Sequence, residues 1–412
     1  MSKKKIRIID LFAGCGGLAD GFEQSGNYEM IAAIDWEKEP CNTLRERLKS
    51  KWKINDADRR VICYDIQKTK ELISGVYNKS MFEKFTGLDF LVKEFGDVDV
   101  VIGGPPCQAY SLAGRIRDEN GMHFDYRNYL FESYLKIVNH YNPKIILFEN
   151  VPGILSAKPG GVSIIDRIRN EFDKSGYVLS TNLRNDALFD LSHFGIPQKR
   201  KRVIIVGLKK NYFKRPSEQI SKFYSEIIGK HWKNEQKTVN DAIGDLPKLM
   251  PSKKIQRING KKYSHSLIPT DIPNHIPRCH SQRDIDIFWT LAHDIETKQY
   301  KYVSIKALHA LYTAKTGKES NIHKYYVLRW KEPSNTIPAH LFKDGLRHIH
   351  PDSEQARSIT VREAARLQTF DDNYVFTGSM TDQYKMVGNA VPPLFAKTLA
   401  NAIFELYEDN MH

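Results

Sequence analysis

Cys107 ends the block Gly103-Gly-Pro-Pro-Cys, which follows an apolar run at 98–103. Two prolines stiffen the backbone before the thiol, and the stretch 109–125 after it is polar and contains glycine. That is the setting of a nucleophile beneath a mobile loop. A buried structural cysteine is the alternative, against which Gln108 and Ser111 speak. Glu149 closes the apolar run 145–148. A carboxyl partly buried there would have a raised pKa and could donate a proton; a helix-capping role is the other reading. Arg200 and Arg202 stand just before the run Val203–Gly207. In a strand, residues two apart share a face, which would suit the pair to a carboxylate or a phosphate. A basic turn would look the same.

A second group of residues describes a pocket. Asp10-Leu-Phe-Ala-Gly14-Cys-Gly-Gly17 follows an apolar run and leads into a helix-like stretch. Glycines there allow a tight turn and bring backbone N–H groups of a helix N-terminus close to a ligand. The spacing is not Gly-x-Gly-x-x-Gly, so a dinucleotide is not favoured. Asp35 could accept hydrogen bonds from ribose hydroxyls. Trp36 could stack on adenine, and Asp65-Ile66 could meet its amino group. Without a phosphate-binding lysine, the set suits S-adenosyl-L-methionine better than ATP. Taken singly, each of these residues also fits a turn or cap.

The elements that must position these groups are legible as alternation. Strands are expected at 6–12, 30–35, 61–64, 98–103, 145–149, 178–183 and 202–207. Helices are expected at 17–24, 38–49, 81–95, 128–140 and 164–174. Such alternation predicts an α/β fold, a parallel-type sheet with helices on both faces. Ligands bind such sheets beyond the carboxyl ends of the strands, where the chemical residues lie. After Gly207 the alternation weakens, and 211–330 reads as a smaller, irregular domain. Residues 331–412 regain helical character at 360–368 and 392–407. The domain reading is therefore 1–210, 211–330 and 331–412.

Charge separates these parts. The chain of 412 residues carries 62 Lys+Arg against 49 Asp+Glu, a net +13. Residues 197–262 hold 18 Lys+Arg against 5 Asp+Glu, which is the whole excess. A basic segment on a neutral body points to a polyanion such as nucleic acid. No apolar run approaches the roughly 18–20 residues that span a bilayer, so no membrane partner is expected. Five scattered cysteines without Cys-x-x-Cys suit a reducing cytoplasm rather than a disulfide framework. His275, Cys279 and His280 fit no standard zinc spacing, and no metal is expected.

These blocks, in this order, resemble the DNA (cytosine-5) methyltransferases of bacterial restriction–modification systems. The glycine loop, Pro106-Cys-Gln108, Glu149-Asn-Val151, Gln198-x-Arg-x-Arg202, Arg362-Glu-Ala-Ala-Arg-Leu-Gln368 and Gly388-Asn-Ala-Val-Pro392 all match. The resemblance covers roughly 5–207 and 333–408. It implies a Rossmann-like methyltransferase sheet, with 211–330 as target recognition domain and the C-terminal segment completing the catalytic domain. Cys107 would attack C6 of a flipped-out cytosine, Glu149 would protonate or hydrogen-bond N3, Arg202 would contact O2, and Arg200 would orient Glu149 or bind phosphate. Loop 108–127 would close over the base. Phe12, Ala13, Gly14, Cys15, Gly17, Asp35, Trp36, Asp65, Ile66, Pro106, Leu130, Asn389, Ala390 and Val391 would line the S-adenosyl-L-methionine site. Asp35 departs from the glutamate of many members, and Cys15 varies in the family and reads as packing. The implied partners are double-stranded DNA and a separately acting cognate endonuclease, for a monomer in the cytoplasm. Within the recognition segment, Asn274–Arg283 offers candidate base readers and Lys253, Lys254, Lys261 and Lys262 candidate phosphate contacts. A tRNA methyltransferase, a thymidylate-synthase-like enzyme and a non-catalytic DNA-binding regulator are the rival readings. The last two would lack the adenosyl pocket or the full set of thiol, carboxyl and arginines.

Overall fold

A computed structural model describes residues 5–76, 85–106, 128–158, 161–258, 260–268, 270–319, 325–343 and 345–409. The chain divides into two compact units. The first comprises Met1–Phe194, Lys201–Asn234 and Ala390–His412; the second comprises Gly195–Arg200 and Glu235–Asn389.

The first unit is built on an eight-stranded sheet. Its strands are β1 (Ile6–Leu11), β2 (Tyr28–Asp35), β3 (Val61–Cys63), β4 (Val100–Gly103), β5 (Ile145–Asn150), β6 (Tyr177–Val178), β7 (Leu188–Asp190) and β8 (Lys201–Lys209). The order is β3-β2-β1-β4-β5-β8-β6, with β7 also pairing with β8. β1 to β5 are mutually parallel, and β8 runs antiparallel to its three neighbours. The near-continuous apolar runs of β1, β4 and β5 are those of strands covered on both faces, and nearly every residue in them is buried. The sheet is thus mainly parallel, as the alternation implies. The chain winds outward from β1 to β3 on one side and crosses to β4 and β5 on the other. That reversal leaves a crevice beyond the carboxyl ends of β1 and β4.

Helices close both faces, among them α2 (Lys38–Ser50) and α3 (Leu88–Phe95). Behind β4 and β5, α4 (Asn128–Tyr141) and α5 (Ile164–Lys174) bring Tyr134 and Phe172 against Phe148, edge to face. Ser163 starts α5 by accepting from the Asp166 N–H at 3.4 Å. α1 (Gly17–Ser25) packs closely on the C-terminal α10 (Pro393–Glu408). A Cβ at Gly21 would lie 2.5 Å from the Pro393 carbonyl oxygen, so glycine sets the approach. Residues 390–412 thus belong to the first unit, while 331–389 lie in the second. Residues 178–183 do not continue as a strand: β6 stops at Val178, and Leu183–Asp186 form a helical turn.

The second unit carries more helix than its sequence suggests. α6 (Gln282–Glu296) starts at Ser281, which caps the Asp284 N–H, and α7 (Ile305–Thr316) starts at Ser304. Ile285, Phe288, Leu291, Leu308 and Leu311 from both helices share one core. Further on, α8 (Val361–Leu367) and α9 (Met380–Asn389) follow. A two-stranded ribbon, β9 (Pro251–Ile258) and β10 (Lys261–His265), completes the unit's described strands.

Candidate active site

β4 and β5 are parallel neighbours with Gly103 opposite Phe148, so 104–106 and Glu149-Asn150 leave the sheet at one edge. The Glu149 carboxylate is 13% exposed and pairs with Arg202, Nε to Oε1, at 2.8 Å. Arg202 reaches it because β8 runs against β5: the start of β8 lies beside the end of β5, with Val203 opposite Asn150. A Cβ on Gly104 would come within 2.7 Å of Glu149 Oε2, so glycine gives the carboxylate its place. Asn150 donates from Nδ2 to the Pro105 carbonyl at 3.2 Å and accepts the Val151 N–H at 2.9 Å. Its side chain therefore ties the end of β5 to the proline pair ahead of the thiol. Sequence reasoning passed over Asn150 and Gly104, though both stand inside the blocks it used. Cys107 and 108–127 lie outside the described residues; Pro106, at their border, is exposed.

Arg200 differs from expectation. It precedes β8, so strand alternation does not pair it with Arg202, and it is fully buried. Its guanidinium donates to the carbonyls of Ile337 at 2.9 Å and Gly388 at 3.0 Å, and to Gln198 Oε1 at 3.4 Å. A phosphate cannot reach it, and the grip on Glu149 belongs to Arg202. Gln198 also donates to Gln368 Oε1 at 3.0 Å and accepts the Ile337 N–H at 2.9 Å. Blocks that read as chemical from sequence thus meet in a buried polar network.

The glycine loop leaves β1 through strained backbone. Phe12 has φ +63°, and Gly14 and Gly16 have φ +56° and +94°. For a bulky residue such as Phe12 this region is costly and marks functional sites. Ala13 donates to the Ile34 carbonyl at 2.9 Å, holding the loop against the end of β2. Asp35 accepts the Gly14 N–H at 2.8 Å and the Glu37 N–H at 2.9 Å, one on each oxygen. Each oxygen retains a further lone pair for a hydroxyl. Burial pushes the Asp35 pKa up to about 6, against the pull of those two N–H groups. Trp36 beside it is 64% exposed, and Asp65 accepts the Gln67 N–H at 3.0 Å. Ile66 and Leu130 belong to the core. A Cβ on Gly17 would lie 2.2 Å from the Val391 carbonyl and 3.2 Å from the Ala390 Cβ, which puts both residues against the loop. Asn389 ends α9 in the second unit. Cys15 is buried and its thiol pKa is pushed up by burial, the state of a packing residue.

Asp10, the last polar residue of β1, is fully buried, and among the described residues neither carboxyl oxygen has a hydrogen-bond partner. Burial, followed by the Asp35 charge, drives its pKa well above the carboxylate range. Sequence reading named it only as the start of the loop. A glycine turn, a helix N-terminus without a side-chain cap, a carboxylate and an exposed indole fit an adenosyl cofactor with hydroxyls, a flat ring and no phosphates.

Four of the proposed base readers, Asn274, His275, Arg278 and His280, are engaged within their own unit. Asn274 exchanges hydrogen bonds with the backbone of Phe376. His275 and His280 are buried, bonded to Thr360 and Ser358. Arg278 donates to the Leu341 and Phe342 carbonyls and lies over the Tyr384 ring. From Asn274 to His280 the stretch is braced by these bonds, while Gln282 and Arg283 at its end are exposed. Among the described residues no group of three or more His, Cys, Asp and Glu could hold a metal ion, and no helix is long and apolar enough to cross a membrane.

Comparison with known proteins agrees with this geometry. The chain is 34% identical to the type II methyltransferase M.Bpa9945I of Bacillus paralicheniformis, over 96% of this chain and 98% of that one. It is 32% identical to the type II methyltransferase M.DdeI of Desulfomicrobium norvegicum, covering 98% and 90%. The S. pombe Dnmt2 methyltransferase structure shares the fold with TM-score 0.54 at 17% identity, covering 98% of this chain and 99% of that one. The family model for C-5 cytosine-specific DNA methylase matches residues 6–405, from the first strand of the sheet into the helix packed behind the glycine loop. A match over that span establishes that the chain belongs to the C-5 cytosine-specific DNA methylase family.

Proposed function

We propose that this DNA cytosine-5 methyltransferase modifies a flipped-out cytosine within a specific double-stranded sequence, through a covalent bond between Cys107 and C6. The observation that carries the reading is the Glu149–Arg202 pair at 2.8 Å, set over Gly104, three residues before Cys107 in sequence. C5 of cytosine is a poor nucleophile in an aromatic ring. Addition of the Cys107 thiolate to C6 breaks aromaticity and moves an electron pair toward C5 and N3. Glu149 protonates or hydrogen-bonds N3, and Arg202 holds Glu149 in place and meets O2. When bound, S-adenosyl-L-methionine supplies an electrophilic methyl group. Phe12, Gly14, Asp35, Trp36, Asp65 and Val391 would hold it. After methylation, loss of the C5 proton lets Cys107 leave by elimination. The base must leave the stack first, at a few kcal/mol, and the basic segment 211–330 holds the remaining duplex. The type II relatives support a restriction–modification setting with a separate endonuclease; a monomer acting in the cytoplasm completes the proposal.

The test is a trap. Duplex target carrying 5-fluorocytosine cannot lose its C5 substituent as a proton, so the enzyme should remain bonded to DNA through Cys107. Cys107→Ala should bind DNA and cofactor yet turn over less than a thousandth as fast. Peptide mapping to another residue, or transfer to tRNA with none to duplex DNA, would overturn the reading.

A further inference from the structure

The ribbon β9–β10 is bare. From Lys253 to Ile258 every residue is exposed, as are Lys261 and Lys262. A sheet segment normally buries one face, yet here Ile255 is 54% and Ile258 40% exposed. Residues 251–265 contain Lys253, Lys254, Arg257, Lys261 and Lys262 and no acid. Among the described residues none of these five cations has an ion-pair partner within 4.0 Å. The register places Arg257 directly opposite Lys262, a pairing of like charges that weakens a hairpin. Gln256 sits opposite Tyr263 and Ile258 opposite Lys261, so alternation puts Gln256, Ile258, Lys261 and Tyr263 on the other face. Among the described residues, the Gln256 side chain is held only by a 3.4 Å bond to the Ser252 hydroxyl.

The base of the ribbon is fixed. Ser264 and His265 are buried; Ser264 accepts the His280 N–H at 2.8 Å, and His265 Nε2 meets the Gln355 carbonyl at 2.8 Å. Met250 and Ser266 exchange hydrogen bonds across the strand entry. His280 and Gln355 therefore anchor the base of an outward-facing ribbon.

We propose that this ribbon is the sequence reader, inserted in the major groove of the DNA substrate, with Arg257 and Lys262 on phosphates and Gln256 and Ile258 against base edges. Charge complementarity selects the occupant: a polyanion relieves the Arg257–Lys262 repulsion, whereas an apolar partner would leave it in place. The major groove, about 12 Å wide, admits a two-stranded ribbon. Gln suits the adenine edge and an aliphatic side chain the thymine methyl. The inference rests on the DNA methyltransferase reading and refines where recognition lies.

The experiment begins by sequencing methylated cytosines in DNA from a host expressing the chain, which yields the target. Gln256→Ala and Ile258→Ala should then each relax discrimination at one base pair by about 5- to 150-fold, with unchanged salt dependence. Arg257→Ala with Lys262→Ala should weaken binding to all duplexes alike and flatten the slope of log K against log salt by about 1.8. Arg257→Glu discriminates most sharply: it creates an attractive cross-strand pair, so the melting temperature should hold or rise while DNA affinity falls at least tenfold. If target preference and salt slope are untouched by these variants while the wild-type enzyme methylates duplex DNA, the ribbon assignment is overturned and the enzymatic reading stands. Absence of duplex methylation by the wild type would overturn both.

Discussion

At the scale of single residues, Asp35 links protonation to cofactor binding. Its pKa near 6, raised by burial, means it is ionised above that value and protonated below. A ribose hydroxyl is held more strongly by a charged acceptor, so the ionised form should bind more tightly than the protonated form. Cofactor affinity measured by calorimetry should hold from pH 8 to 7, then fall by up to about tenfold as pH drops below 6. Asp35→Asn should bind about tenfold more weakly at pH 7.5 and lose that pH dependence; a wild-type affinity flat down to pH 5 would exclude the role. Arg202→Ala should lower kcat by 100-fold or more with little change in cofactor affinity, because it frees Glu149 from its position. The placement of Glu149 and Arg202 at neighbouring strand ends was legible because apolar runs announce those strands. Arg200 was misread because its role depends on carbonyls of Ile337 and Gly388, far away in sequence. No local spacing reports such partners.

At the scale of elements, α8 shows why a block that reads as chemical can be architectural. Thr360 accepts the Glu363 N–H at 3.1 Å while Glu363 returns a bond to the Thr360 N–H at 2.7 Å, a reciprocal cap visible as Thr-x-x-Glu in sequence. The other half was invisible. Arg357 and Glu363, both about 1% exposed, form a two-pronged ion pair at 2.7 Å. Arg362 gives its donors to the carbonyls of Pro273, Asp371 and Tyr374. Thr360→Ala should cost about 1 kcal/mol of stability. Glu363→Ala should cost about 3–5 kcal/mol, since it strands a buried guanidinium. Denaturant melts of the two variants check the order; equal losses would mean that the ion pair adds nothing to the cap.

At the scale of the whole molecule, the buried histidines of the second unit and the buried carboxyls Asp10 and Asp35 of the first respond to acid in opposite directions. In the second, burial lowers the pKa of His265 and His348 to about 4 and of His280 and His350 to about 3. The unfolded chain titrates these groups near 6.5. It therefore takes up protons first as pH falls, and stability present above about 6.5 is lost toward 4. Glu363, held low mainly by Arg357 and His350 against its burial, adds to the loss at the acid end. In the first unit Asp10 and Asp35 have raised pKa values; their contribution is full below the unfolded carboxylate range and lost as pH rises through the folded values. Hydrogen exchange at pH 7.5 and 5 should show protection falling in 235–389 well before it falls in β1, β4 and β5. Uniform loss across both units would contradict this. The alternating half of the fold was legible from periodicity alone. The helices of the second unit were less so, because α6 and α7 bury only narrow stripes among many polar residues.

The reversed direction of β8 also governs where the chain tolerates a change of length. Arg202 faces Glu149 only while Val203 stays opposite Asn150, and one residue added between Phe189 and Arg202 that moved the register would turn the guanidinium to the wrong side of the sheet. β7, paired with the same stretch of β8, clamps that register from the outer side. Downstream of Lys209 no such clamp acts on the arginine. Lengthened loops, split points or grafted segments placed there leave the catalytic edge in phase, whereas the same edit a dozen residues earlier puts it out of phase. Gene libraries that vary spacing should therefore recover active members with insertions after the end of β8 and few or none before its start.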